Sequence, residues 1–215
     1  MPPEPLVSVL INNYNYGRYL RTCIDSALAQ TYRTVEVVVV DDGSTDDSVE
    51  IIHSYGSAIN GLCQANGGQA SAFNAGFAAA SGAVVCFLDA DDFFLPDKVS
   101  CVVELFSRHE TAQWCFHEVQ PEGEASVGIG ASPPSHLTTL HDHRATLARG
   151  SLSYSASSTS ALSFRRELLA RILPMPESRG VRLNDNYIKS AALSLAPGIS
   201  TTRTLACRRI HDGPS

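Results

Sequence analysis

In Ala83-Val84-Val85-Cys86-Phe87-Leu88-Asp89-Ala90-Asp91-Asp92, an unbroken apolar run ends in three carboxylates within four positions. The run is short and partly β-branched, the pattern of a strand buried on both faces. The aspartates then fall where such a strand leaves its sheet. Carboxylates this close repel one another and stay ionised together only beside a cation. A hard divalent ion with oxygen ligands meets that need, and Mg²⁺ or Mn²⁺ held this way keeps positions open for substrate phosphates. An acidic surface turn that caps the next helix would carry the same residues, so the reading depends on what surrounds them.

Upstream, Val7-Ser8-Val9-Leu10-Ile11 and Val35-Glu36-Val37-Val38-Val39-Val40 read as strands. They end in the polar clusters Asn12-Asn13-Tyr14-Asn15-Tyr16-Gly17 and Asp41-Asp42-Gly43-Ser44-Thr45-Asp46-Asp47. Between them Leu20, Cys23, Ile24, Ala27 and Leu28 recur at helical spacing. Ser44 or Thr45 is placed to cap a helix carrying Val49, Ile51 and Ile52. A weaker strand over 59–63 leads to Asn66-Gly67-Gly68-Gln69 and a helix of small residues over 70–80. Downstream, Pro96 opens a helix with Val99, Val102, Val103 and Phe106 on one side. Alternation of this kind predicts an α/β fold, a mostly parallel central sheet with helices on both faces. Ligands of such sheets bind outside the carboxyl ends of the strands. The polar ends at Asn13 and Tyr14, Asp41 and Asp42, and Asp89 and Asp91 are therefore expected on one rim.

Past Trp114-Cys115-Phe116-His117 the periodicity weakens. Residues 120–150, rich in Gly, Pro, Ser and His, are expected to form a long loop or insertion of the kind used as a lid or binding loop. His141 and His143 lack the further ligands that a zinc site needs and read as exposed histidines. A short strand is expected over 160–164, a helix from Arg165 to about 172, and a second helix after Asn184-Asp185 carrying Tyr187, Ile188, Ala191, Ala192 and Leu195. A last strand near 201–208 leads to Ile210-His211. With no repeat and no linker, residues 1–215 read as one domain.

The bulk properties narrow the function class. The 215 residues suffice for one large α/β core. A composition 44% hydrophobic and 18% charged excludes disorder. A formal net charge of -6 with no polybasic run argues against nucleic acid or an anionic membrane as partner. No apolar stretch is long enough for a transmembrane segment, and Met1-Pro2-Pro3-Glu4 has no signal-peptide character. Cys23, Cys63, Cys86, Cys101, Cys115 and Cys207 show no C-x-x-C or zinc-like spacing. They read as reduced core residues of a cytoplasmic protein.

Taken together, these motifs make the chain resemble family 2 glycosyltransferases of the GT-A fold, over nearly its whole length and most strongly in residues 7–100. Val7–Asn15 is similar to that family's opening strand and nucleoside loop, and Val39-Val40-Asp41-Asp42-Gly43-Ser44-Thr45-Asp46 to its most recognisable signature. Residues 66–76 resemble its Gly-rich segment, and Phe87-Leu88-Asp89-Ala90-Asp91-Asp92 its metal motif. The chain departs from the family pattern at Asn12 (usually Pro), at Phe73 (often Arg) and at Asn184, where an acidic residue commonly precedes the base.

The resemblance implies inverting transfer of a sugar from a UDP-, GDP- or dTDP-linked donor to a hydroxyl of a glycan, lipid-linked or small-molecule acceptor. It implies Mn²⁺ or Mg²⁺, with Asp91 as direct ligand, Asp89 on the ribose or a metal-bound water, and His211 completing the shell. Asp92 is expected to cap a helix. Asn13, Tyr14, Asn15, Asp42, Gly67, Gly68, Gln69 and Asp89 are the residues it assigns to the donor. Asp185 stands at the position of the general base, whose task is to take the proton of the attacking hydroxyl. Residues 1–100 would then be the donor half and 101–215, with the loop 120–150, the acceptor half; homodimerisation stays open. Two alternatives remain. One is a non-catalytic module that binds a nucleotide-sugar. The other is a metal-dependent phosphohydrolase with Asp89 as nucleophile, against which Phe93 stands where a Thr is expected.

Overall fold

The computed structural model describes residues 4–122, 136–150, 158–177 and 184–210. Its first half follows the alternation: β1 (Val7–Asn13), α1 (Gly17–Leu28), β2 (Val35–Asp41), α2 (Ser48–Ser54), β3 (Asn60–Cys63), α3 (Gln69–Ala79), β4 (Val84–Asp89), β5 (Phe93–Phe94) and α4 (Lys98–Arg108). The second half is β6 (Trp114–Pro121), β7 (Thr138–His141), α5 (Arg144–Leu147), β8 (Leu162–Arg165), α6 (Arg166–Leu169), α7 (Asn184–Leu195) and β9 (Gly198–Arg208). A 3₁₀ turn at Thr159–Ala161 leads into β8.

The strands form one sheet in the order β3-β2-β1-β4-β8-β6-β9-β5, with β7 added beside β9. From β3 to β4 the pairing is parallel, as expected. Beyond β4 it is mixed: β8 runs antiparallel to both β4 and β6, β6 and β9 are parallel, and β5 and β7 each pair antiparallel with β9. The reason is local. β8 follows a 3₁₀ turn at the rim instead of a crossover helix, so it enters the sheet from the opposite end to β4.

Alternation along each strand divides the core. Val9, Ile11, Val37, Val39, Cys86 and Leu88 pack under α1 and α4. Leu10, Val85 and Phe87 face the other way, onto Phe73, Trp114, Phe116, Phe164 and the apolar side of α7 (Ile188, Ala192, Leu193). Helices thus cover both faces. Trp114 is fully buried, stacks on Phe116 with ring centroids 4.6 Å apart, and donates its indole N–H to the Ala196 carbonyl at 2.9 Å.

Several expectations need correction. Residues 120–150 are not one loop, since their described parts contain the end of β6, strand β7 and helix α5. Neither Ser44 nor Thr45 caps α2, which starts at Ser48; Ser44 is bonded to Asp41 instead. Helix α6 is a single turn and does not run to 172. All six cysteines are free, but Cys63 is exposed at the end of edge strand β3.

Candidate active site

The register brings the strand ends together. Asn13 pairs with Asp41 across β1 and β2, and Asn12 with Asp89 across β1 and β4, so three polar ends share one rim. The rim carries two linked groups of side chains.

The first is a framework of loops. Asp41, buried at 1% exposure, accepts from Asn13 Nδ2 at 2.7 Å and from the Ser44 backbone N–H at 2.9 Å. Asn15, in the left-handed region with φ 58°, accepts the Thr45 N–H on its Oδ1 at 2.8 Å. Its own N–H donates to Ser44 Oγ. Asn13 and Asn15 are therefore occupied in joining two loops, and Tyr14 between them is left 48% exposed at the rim. Asp42, 3% exposed, accepts from Gln64 Nε2 at 2.7 Å, Gly67 N at 2.9 Å and Gly68 N at 2.7 Å. It clips the Gly-rich turn to the end of β2. Gly43 (φ +78°) lies so close to that turn that a Cβ would meet Asn66 N at 2.6 Å. Gly68 (φ +86°) turns the chain into α3, whose first residue is Gln69 and whose first turn has neither a side-chain cap nor an acidic residue. An uncapped helix start of this kind favours a negatively charged neighbour.

The second group is acidic. Asp89 accepts from Asn12 Nδ2 at 3.4 Å and from Thr159, and its backbone N–H donates to Ser160 Oγ at 3.1 Å. Burial, then the charges of Asp92 and Asp91, push its carboxyl up to about 8. Asp92 is not a helix cap: it is 3% exposed, accepts Ser160 Oγ at 2.5 Å and the Arg209 backbone N–H, and leaves Oδ1 without a partner among the described residues. Burial, opposed by the Ser160 bond and reinforced by Asp91, raises it to about 6. Tyr16 stands close by, its hydroxyl pushed up by burial and by Asp91 and Asp89.

A hard divalent cation fits this donor set. Burial and mutual repulsion both disfavour the ionised carboxylates, a cost that a cation would offset, and Asp92 Oδ1 is buried without a partner among the described residues. Among the described residues no three His, Cys, Asp or Glu side chains converge into a closed cage. That suits an ion which takes one or two carboxylates and completes its shell with water and phosphate.

Two sequence candidates remain, Asp185 and His211. Asp185, in the first turn of α7, is ion-paired with Lys189 at 2.8 Å, a nearly buried i,i+4 pair. His211 lies outside the described residues. Sequence reasoning missed Asn12, Tyr16, Thr159 and Ser160 as companions of the aspartates. Only the run of hydroxyl residues at 157–160 hinted at the last two.

The parallel half-sheet thus carries a loop framework and an acidic cluster on its carboxyl rim, the place where ligands of α/β sheets bind. The sequence profile described as "Glycosyl transferase family 2" matches residues 8–172, and the chain belongs to that family. An uncharacterised glycosyltransferase of Nostoc is 36% identical over 210 residues, 95% of this chain and 65% of that protein. Chondroitin synthase of Pasteurella multocida is 38% identical over 125 residues, 55% of this chain and 13% of the synthase. Among solved structures, Staphylococcus aureus TarS 1-349 in complex with UDP-GlcNAc superposes with a TM-score of 0.73 at 20% identity, covering 97% of this chain and 60% of that one. The mannosyltransferase PcManGT of Pyrobaculum calidifontis, in complex with GDP-Man and Mn2+, gives 0.67 at 21% identity, covering 94% and 56%. These likenesses establish a GT-A fold, and the chain spans less than two thirds of the length of each of these relatives.

Proposed function

We propose that the protein is a metal-dependent inverting glycosyltransferase that moves a sugar from a nucleoside-diphosphate donor to an acceptor hydroxyl. The observation that carries this reading is the pairing of an acidic, proton-holding cluster at the end of β4 with an uncapped α3 start and an exposed Tyr14 on the same rim. The neighbours crystallised with UDP-GlcNAc and with GDP-Man and Mn2+ support the donor class.

In this reading Tyr14 packs against the nucleobase. Asn13, Asn15 and Asp42 hold the loops that shape its pocket, and the turn Gly67-Gly68-Gln69 lets the backbone approach the donor closely. Asp91 and Asp89 hold Mn²⁺ or Mg²⁺, with Asp92 beneath them and His211 as a further ligand. When bound, the cation offsets the charge that builds on the leaving diphosphate. Asp185 takes the proton of the attacking hydroxyl, with Lys189 fixing the orientation of its carboxylate. Residues 1–100 serve the donor and 101–215 the acceptor, within one domain.

A thermal-shift panel of UDP, GDP, dTDP and their sugar conjugates, with and without Mn²⁺, tests this. One nucleotide at a hundred times its dissociation constant should stabilise the chain by roughly 2.7 kcal/mol. The shift should need Mn²⁺ and vanish in Asp91→Asn. Asp185→Asn should keep the shift and lose donor turnover. Metal-dependent binding with no turnover in the wild type would instead identify a non-catalytic nucleotide-sugar module.

A further inference from the structure

A cavity of about 270 Å³ opens beside the acidic cluster, its described walls being Glu118, Val119, Ser158 and Arg208. The sheet register fixes its place. Cys86 and Cys115 both pair with Ser163, so three residues further along, Glu118 of β6 stands level with Asp89 of β4. Phe87 and Phe116 belong to one core cluster, which puts Asp89 and Glu118, two residues beyond each, on the same face. Two strand spacings separate them, roughly 9.5 Å, with the Ser160 turn between.

The pairing of β6 with β9 is disturbed at this point and nowhere else along its length. Phe116 faces Ser200, Glu118 faces Thr204 and Val119 faces Ala206, so β9 bulges on both sides of Glu118. Bulges of this kind re-aim side chains next to active sites. Arg208, which also lines the cavity, lies near enough to Asp92 for its charge to favour the ionised carboxylate. Neither the Glu118 carboxylate nor the Arg208 guanidinium has a hydrogen-bond or ion-pair partner among the described residues. The Ser158 hydroxyl, shielded from solvent, has none among them either.

The chemistry of these walls selects the occupant. A bare anion is opposed by Glu118 and a cation by Arg208, while no described wall offers an aromatic face for a nucleobase. A ring whose hydroxyls donate to Glu118 and accept from Arg208 and Ser158, with C–H groups against Val119, suits all four residues, and a cavity of this size holds one hexose. We propose that Glu118, Ser158 and Arg208 form a saccharide subsite beyond the diphosphate. Glu118 accepts from ring hydroxyls and so selects the sugar. The proposal rests on the nucleotide-sugar reading, and the sugar is either the donor's own or the acceptor's.

The test compares the full chain with its Glu118→Gln variant in Mn²⁺. Titrations use UDP, GDP and dTDP, then UDP-GlcNAc, GDP-mannose and dTDP-glucose, and transfer is followed with a panel of methyl glycosides as acceptors. Binding of the free methyl glycosides is read by saturation-transfer NMR. Glu118 is exposed, so the variant should fold with an unchanged melting temperature. Losing a charge-assisted bond should weaken the sugar-dependent signal about tenfold or more and leave bare-diphosphate affinity within about twofold. Weakened nucleotide-sugar binding assigns the cavity to the donor sugar, and a raised acceptor KM with unchanged donor binding assigns it to the acceptor. If methyl glycosides bind through Glu118 while no nucleotide binds, the nucleotide reading fails and the subsite stands. Sugar-dependent signals equal in variant and wild type overturn the subsite, as does the absence of any sugar binding to the wild type.

Discussion

Burial and the neighbouring charges of Asp92 and Asp91 favour the protonated form of Asp89. With its carboxyl raised to about 8 and that of Asp92 to about 6, the metal-free native chain binds protons there that the unfolded chain has released. The pair therefore lowers stability as pH rises from about 4 towards 8, and Mn²⁺ bound there as proposed should reverse that loss. The apparent Mn²⁺ affinity should rise by up to about tenfold per pH unit between pH 6 and 8 and flatten above. Mn²⁺ titrations followed by electron spin resonance would show this, and a pH-independent affinity would contradict it. Lys98 poses a different case. It is fully buried, donates to Ser163 Oγ at 2.6 Å, sits 4.6 Å from the centre of the Phe94 ring, and has no carboxylate partner among the described residues. Burying a charge without an ion partner is costly. Lys98→Met, apolar and one atom shorter, should melt at the same temperature or higher, whereas Lys98→Ala should lose about 2–4 kcal/mol to the cavity left behind. Urea unfolding of both variants separates the two effects.

At the level of elements, legibility followed burial. β1, β2 and β4 were visible because continuous apolar runs had nowhere to go but a sheet interior, and their polar ends marked the rim. β7 was invisible because three of its four residues are exposed and show no alternation. β6 is not legible as a strand because Glu118 interrupts its apolar run. Ser160 escaped notice as a site residue because its partner Asp92 is 68 residues away. Glu118 itself emerges only from a register that no local pattern encodes. One element-level contact is unusually tight: a Cβ on Gly198, the first residue of β9, would lie 2.0 Å from Trp114 Cδ2. Neither the strand nor a buried indole that is hydrogen-bonded at its N–H can give way. Gly198→Ala should cost about 1–3 kcal/mol by overpacking, read as a lower denaturation midpoint with an unchanged m-value.

For the whole molecule, the order of strands matters more than their number. β4 carries the acidic cluster at its end, and among the described residues its second edge pairs with β8, through Val84, Val85 and Cys86 against Arg165, Phe164 and Ser163. Residues 1–108 are consequently not closed on their own. A chain ending after Arg108 should associate through that bare apolar edge, seen as growing light scattering, while the full chain should not. Monodisperse, cooperatively unfolding 1–108 would contradict this. The same insertion bears on how the protein is made. At about 5–20 residues per second, roughly 4–15 s pass on the ribosome between synthesis of Asp89 and of Arg165. Throughout that interval the centre of the sheet is a sticky half-ladder, so the nascent polypeptide is a client for whatever chaperones shield exposed β-edges at the exit tunnel.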